Sequence, residues 1–479
     1  MLFNSIEFLL FFPTVFILYW FVFNKNLRSQ NILILLFSYI FYGFWDYRFL
    51  LLILISTIID YFVGLNIPKQ NKKNRKKILL YVSIFFNIGA LCIFKYYNFF
   101  IDSWIELFNT LGYKIQSKWT LNIILPVGIS FYTFQTLSYS IDIYRNKFMP
   151  TKDFFSFASF VAFFPQLVAG PIERASNLLP QILKKREFNY LQAKQGIKLI
   201  IWGMFKKVVI ADLLAPEVDN IFSDYNNFGA GSLWIGAIFF SFQIYCDFSG
   251  YSDIAIGISK LLGIEIMSNF KFPYLSRNIG EFWRRWHISL SSWFRDYIYI
   301  PLGGSKVKKV IALRNIFIVF IISGLWHGAN WTFVIWGIFH AALFTPSFLL
   351  NNNRKYLNSF IGEKNGLFSI RDFFNVLFTF ILVTIGWVFF RSDNFSNAIK
   401  YLNKMFDFLS FKFDHNIKNE YLIILLVFII IEFYQRGKER DVSFFKNRFL
   451  DRFFWYFLVC LTTLLFFKEN PTNFIYFQF

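Results

Sequence analysis

Residues 316–339 read IFIVFIISGLWHGANWTFVIWGIF, two apolar runs separated by GLWHGANW at 324–331. With its neighbours, each run approaches the roughly 20 apolar residues that a membrane helix needs. Residues 311–327 and 331–350 therefore read as a helical pair crossing a bilayer. His327 sits where they meet. An ionisable ring loses hydration there, and such residues mark functional positions in membrane segments.

The rest of the chain supports the bilayer reading. Its 479 residues are 56% hydrophobic, 23% aromatic and only 16% charged, against about a quarter charged in soluble domains. Apolar runs recur at 8–23, 49–59, 78–94 (broken by Asn87) and 421–431. Spans are expected near 8–23, 31–45, 49–66, 78–97, 121–141, 195–213, 231–247, 311–327, 331–350, 372–390, 419–435 and 453–468. That is an all-α polytopic membrane protein. No repeat, low-complexity tract or linker interrupts it, so 1–479 reads as a single membrane domain. Glu7 and the lack of a basic residue before the first apolar run argue against a cleavable signal peptide. The 71 phenylalanines read mainly as codon bias.

The net charge of +20 is an orientation signal, because short cytoplasmic loops collect Lys and Arg. Residues 68–77 (PKQNKKNRKK) carry six basic groups and no acid, which puts that loop inside and the N-terminus outside. Residues 208–259 hold no Lys or Arg, while Asp212, Glu217, Asp219 and Asp224 cluster on an expected outer loop. The stretch 248–310 is again basic. No nucleic-acid-binding motif appears. Cys92, Cys246 and Cys460 suggest neither a disulfide framework nor a zinc site, and four histidines without HExxH make a metal enzyme a poor fit.

Two segments resist assignment as simple spans. Residues 154–171 (FFSFASFVAFFPQLVAGP) are apolar yet flanked by basic residues on both sides, so a re-entrant hairpin broken at Pro165 and Gly170 is expected. Broken backbone at membrane depth must be buried in protein or line a cavity. Lys206 and Lys207 lie inside an expected span; snorkelling and a buried anion site are the two readings.

Chemistry concentrates in residues 251–350. At 281–304 the chain reads EFWRRWHISLSSWFRDYIYIPLGG, and on one helix Phe282, Trp286, Ser289 and Trp293 share a side. Rings mixed with arginines suit a cytoplasmic interfacial helix within a helix-loop segment at 251–305. Arg284 and Arg285 fit two roles, anchoring anionic lipid or holding the phosphates of a nucleotide-bearing donor. His287 lies in this block; it is either a satisfied interfacial ring or part of one cavity with His327. His340 carries less weight, and His415, beside Asp414, reads as solvated.

Burial favours a neutral imidazole, and a neutral ring can take a proton from a hydroxyl that attacks a carbonyl. His327 is thus a candidate general base. Asn330, Trp326 and Trp331 are candidate substrate contacts, with Asn330 and Trp331 able to donate to an oxyanion. Gly324 and Gly328 would admit a substrate close to the backbone. Neither a GxSxG elbow nor a Walker loop is present.

GLWHGANW, RRWHISLSSWFRDYIYIPLGG, SFQIYCDFSGYSDIAIGISKLLGI (241–264), FFPQLVAGPI (163–172) and the terminal FIYFQF (474–479) closely resemble the membrane-bound O-acyltransferase superfamily. The likeness is to its bacterial branch of alginate O-acetylation subunits, peptidoglycan O-acetyltransferases and teichoic-acid D-alanylation subunits. It implies about 11–12 membrane helices around a central tunnel, with His327 as the family's near-invariant histidine and His287 as its second polar position. It also implies acetyl-CoA as donor, no resident cofactor or metal, and an extracytoplasmic SGNH-hydrolase-like partner that acetylates a polysaccharide. The expected setting is the inner membrane. Transfer of D-alanine or another acyl group is the rival within the class; a polysaccharide transporter or a scaffold is the rival outside it.

Overall fold

The computed structural model describes residues 1–113, 119–121, 123–168, 170–357, 359–363, 368–407, 409, 411–413, 418–438, 443–468 and 474–475. Among them every regular element is helical. Among the described residues six helical stretches are long and apolar enough to cross a membrane: Leu27–Asn66, Lys73–Thr110, Lys309–His327, Trp331–Leu349, Ile370–Arg391 and Arg448–Phe466. Ile6–Val22 and Phe154–Leu167 are shorter apolar helices. The protein is a multi-pass membrane protein.

The chain divides into two compact units. The first, Met1–Ala193 with Ile258–Ile266, contains α1 (Ile6–Ile17), α2 (Leu27–Asp46), α3 (Leu50–Asn66), α4 (Lys73–Leu91), α5 (Tyr97–Thr110), α6 (Ile129–Tyr144), α7 (Phe154–Val161), α8 (Phe164–Leu167) and α9 (Ala175–Ile182). Asn87, the residue that breaks an apolar run, has a buried partner on α3. Buried Asp60 on α3 accepts from Ser83 Oγ at 2.5 Å, Asn87 Nδ2 at 2.8 Å and Ser140 Oγ at 2.6 Å, tying α4 and α6 to it. A carboxylate in hydrocarbon demands such partners.

Residues 154–171 are broken at Ala162–Phe163 and not at the expected Pro165, which lies in the first turn of α8. Side chains satisfy the backbone that the break frees. Gln135 Nε2 donates to the Phe160 carbonyl at 2.6 Å, and Phe164 N–H donates to Ser38 Oγ at 3.1 Å. The segment is buried in protein, as irregular backbone at this depth must be.

The second unit, Lys194–Gly257 with Met267–Phe479, takes in most of α10 (Tyr190–Met204) and α12 (Ala230–Leu261), and all of α11 (Asp212–Ser223), α13 (Ile279–Arg285), α14 (Ile288–Phe294), α15 (Lys309–His327), α16 (Trp331–Leu349), α17 (Ile370–Arg391), α18 (Phe395–Met405), α19 (Asn419–Gln435) and α20 (Arg448–Lys468). Three expectations change. The span at 121–141 starts at Ile129, behind Gly128 with its φ of +75°. The helix expected to stop at 247 runs to Leu261, because Asp247 and Asp253 face lysines instead of ending it. Lys206 and Lys207 neither snorkel nor form an anion site. They lie in the π-helical turn Phe205–Ala211, with Lys206 Nζ 2.6 Å from Asp253 and Lys207 Nζ 2.7 Å from both Asp212 and Asp247.

α15 and α16 form the expected hairpin, and glycine sets their approach. A Cβ on Gly324 would lie 2.2 Å from the Phe333 carbonyl oxygen, and one on Gly337 2.3 Å from that of Phe320. Gly328 faces the Phe333 ring in the same way. Gly324 and Gly328 therefore serve helix packing, where small residues let backbones close, and the expected role in substrate approach gives way to it. Gly324→Val is expected to lower stability by about 3 kcal/mol, the upper end for overpacking, read as a fall in melting temperature in detergent.

Candidate active site

His327 is the last residue of α15 and is 3% exposed. Its ring centroid lies 4.9 Å from Trp326, 5.1 Å from Trp336 and 5.3 Å from Phe390. It faces an aromatic wall inside the protein, away from lipid. α16 supplies Trp336, and the last turn of α17 supplies Phe390.

His287 reaches the same place from a different direction. The single interfacial helix expected within 281–304 is instead broken at Trp286–His287 into α13 and α14, the latter continuing into a π-helical turn, Arg295–Tyr299. His287 has φ +42° and ψ +56°, the left-handed region that side chains enter at a cost. Asn269 braces this turn. Its carbonyl accepts from Ile288 N–H at 2.9 Å, and its Oδ1 accepts from Ser289 Oγ at 2.6 Å. The strain aims the His287 ring inward, 5.5 Å from Trp326 and 6.4 Å from His327 between centroids. Phe248 closes its other side at 4.7 Å. Neither ring nitrogen has a hydrogen-bond partner among the described residues. Burial pushes the imidazole down to about 3, so the ring is neutral at pH 7.

Sequence reasoning gives less weight to His340, yet it belongs to this cluster. It is fully buried on α16, its ring 4.9 Å from Trp336, with both nitrogens unpartnered among the described residues. The signal is available in the sequence: Trp336 and His340 are spaced i, i+4 and share a helix face. His415 lies outside the described residues, as do the last four residues of FIYFQF.

Asn330 and Trp331 lie at the start of α16. Asn330 caps α16, its Oδ1 accepting from Thr332 N–H at 3.0 Å, and its Nδ2 donates to the Asp393 carbonyl at 2.8 Å. Trp331 is 51% exposed. The Asn330–Asp393 bond pins the start of α16 to the end of α17, so the two helices run antiparallel.

A cavity of about 530 Å³ is lined by Lys271, Trp283, Arg284, Arg285, Arg295 and Arg436 among others. Its lining reaches Ile288 but includes neither His287 nor His327. Buried Glu281 holds Arg285 at 2.7 Å and Arg277 at 3.0 Å. Arg284 Nη1 donates to the Asn353 carbonyl at 2.5 Å, just past the end of α16, while its Nη2 has no partner among the described residues. A second cavity of about 330 Å³ is lined by Asp219, Asn220, Arg391, Asp393, Asn397 and Tyr401 among others. The first cavity lies by the C-terminal end of α16 and the second by its N-terminal end, roughly 28 Å away along a 19-residue helix. The basic lining suits an anion, and the mixed polar lining suits a hydroxyl-bearing group. No group of acidic, histidine and cysteine side chains that would hold a metal occurs among the described residues.

Comparison with known proteins gives this arrangement its context. Residues 45–379 match the membrane-bound O-acyltransferase family, MBOAT. The probable alginate O-acetylase AlgI of Pseudomonas aeruginosa is 39% identical over 411 residues, 85% of this chain and 75% of that protein. The peptidoglycan O-acetyltransferase of Helicobacter pylori is 37% identical over 434 residues, 85% of this chain and 80% of its own. A teichoic acid D-alanyltransferase of Streptococcus thermophilus is 30% identical over 258 residues, 50% of this chain and 62% of its own. A polytopic helical chain with this match belongs to the membrane-bound O-acyltransferase family, and it is an O-acyltransferase.

Proposed function

We propose that this enzyme takes an acetyl group from acetyl-CoA at the cytoplasmic face of a bacterial inner membrane and delivers it to an acceptor on the outer side. The N-terminus is extracytoplasmic in this arrangement, and the basic cavity faces inward. The observation that supports the reading is the cluster of buried histidines, with a basic cavity near the C-terminal end of α16 and a polar one near its N-terminal end. The names of the two relatives at 37–39% identity support acetyl as the group and a cell-envelope polysaccharide as its destination.

Arg284, Arg285 and Lys271 take the phosphates of the donor. His327 accepts the proton of the attacking hydroxyl as its oxygen bonds to the thioester carbonyl. The carbon–sulfur bond then breaks, and the imidazolium returns the proton to the departing thiolate. His287, neutral and held by a strained turn, positions the donor carbonyl or the acceptor. The acceptor hydroxyl enters by the polar cavity, carried by an SGNH-hydrolase-like partner that passes acetyl to the polymer. D-alanyl transfer is the second reading, favoured by the relative at 30% identity.

Purified protein mixed with labelled acetyl-CoA and an acceptor tests the proposal. Release of CoA is the expected result; a protein inert with acetyl-CoA but active with a D-alanyl donor would transfer the reading to the second group. Arg284→Gln is expected to raise the donor KM roughly tenfold with kcat little changed, the effect of one charge-assisted hydrogen bond made before the transition state.

A further inference from the structure

The first unit contains a cavity whose lining includes none of the candidate site residues. It measures about 450 Å³ and is bounded by Phe16, Trp20, Lys25, Lys185, Arg186 and Phe188, with Glu187 as an acid in its lining. We infer that it binds the phosphate headgroup of an anionic phospholipid.

The walls are fixed. Phe188 meets Phe16 edge-on at 6.3 Å and Trp20 at 5.5 Å, while Trp20 Nε1 donates to the Leu261 carbonyl at 2.9 Å. Trp20 lies in a π-helical turn, Leu18–Val22, a form that recurs at functional sites. Arg186 is 5% exposed, held by Asn31 Oδ1 at 2.6 Å from its Nη2 and by the Ile182 carbonyl at 3.3 Å from its Nη1. Its Nε has no partner among the described residues, and no ion pair between Arg186 and a carboxylate occurs among them. A buried guanidinium calls for an anion.

Lys25, Lys185 and Arg186 against Glu187 leave the lining with an excess of two positive charges. Phe21, also in the lining, is 75% exposed, and Ile17, one turn earlier, is 53% exposed. A positive cleft with an apolar flank matches a lipid, whose phosphate enters while its chains lie along the outer face. Basic pockets between membrane helices bind anionic headgroups in this way. A soluble phosphate would leave the apolar flank unused.

Native mass spectrometry and thermal melting of the full chain in detergent test this, with phosphatidylglycerol, phosphatidylcholine or inorganic phosphate added. Phosphatidylglycerol is expected to bind and to raise the melting temperature, and phosphatidylcholine is not. In Lys25→Gln/Lys185→Gln the phosphatidylglycerol affinity should fall about thirtyfold, given the usual contribution of two basic groups near an anionic surface. Arg186 is left intact because its bonds to Asn31 and Ile182 brace the fold. Equal binding of the two lipids, or unchanged affinity in the double variant, overturns the inference. Stabilisation by millimolar phosphate equal to that by lipid overturns the choice of a lipid. None of these outcomes depends on acyl transfer.

Discussion

His327→Ala is expected to lower acyl transfer roughly 100- to 10,000-fold, the range for loss of a positioned general base. The donor KM should move little, because the basic cavity proposed to take the phosphates does not include His327. The drop should therefore appear in kcat, the pattern of an interaction made in the transition state. Alanine also leaves a hole among Trp326, Trp336 and Phe390, which costs stability. His327→Gln keeps most of that volume and isolates the chemistry from the packing. Both variants should elute as folded protein and release CoA only at the background rate. If the glutamine variant melts like the wild type and still transfers acetyl at the wild-type rate, His327 is not the base. The parallel measurements on His287→Ala and His340→Ala then become decisive, since those are the other two buried imidazoles of the cluster.

The sequence makes His327 legible for a simple reason: a polar ring between two apolar runs has few structural excuses. The same reasoning finds Trp326 and His287, which are bound to it by short sequence distances or by an aromatic-rich block. It misses what depends on strain and on the pairing of distant helices. A 3.6-residue period cannot reveal that the chain turns left-handed at His287, and a continuous helix there would not place the ring beside Trp326. Asn330 looks like an oxyanion donor because it follows the histidine closely. Its amide also caps α16 and donates to the Asp393 carbonyl, 63 residues away. Gly324 and Gly328 point toward substrate for the same reason of proximity, while their real neighbour is Phe333. Helix existence is easy to read from hydropathy, and helix ends are not. α12 outruns its expected end because Asp247 and Asp253 look like loop residues until their lysines are located.

Those lysines support the second large effect. Lys207→Met is expected to destabilise the protein by about 3–5 kcal/mol, the cost of stranding a buried charge by removing its partner. Lys207 is 1% exposed, and Asp212 and Asp247 both lie 2.7 Å from its Nζ, at 6% and 3% side-chain exposure. Without the ammonium, two carboxylates face each other in a medium that solvates neither. The triple variant Lys207→Met/Asp212→Asn/Asp247→Asn removes all three charges and should recover most of the loss, because a well-packed neutral substitute for a buried ionic cluster is often no less stable. Failure of the triple to recover any melting temperature would mean that the π-helical turn at 205–211, and not charge balance, needs the lysine. The defect should also reach the histidines. Asp247 Oδ2 accepts from Ile475 N–H at 2.6 Å and so holds Phe474 against Tyr251 at 4.5 Å and Phe248 at 5.8 Å. Phe248 is the ring that closes over His287. Loss of Lys207 frees Asp247 to turn away, loosens Phe474 and opens that side of His287, so the single variant should lose transfer activity even below its melting temperature. In the triple variant the Asp247→Asn change keeps a side-chain carbonyl oxygen for Ile475 N–H, so activity and stability should return together.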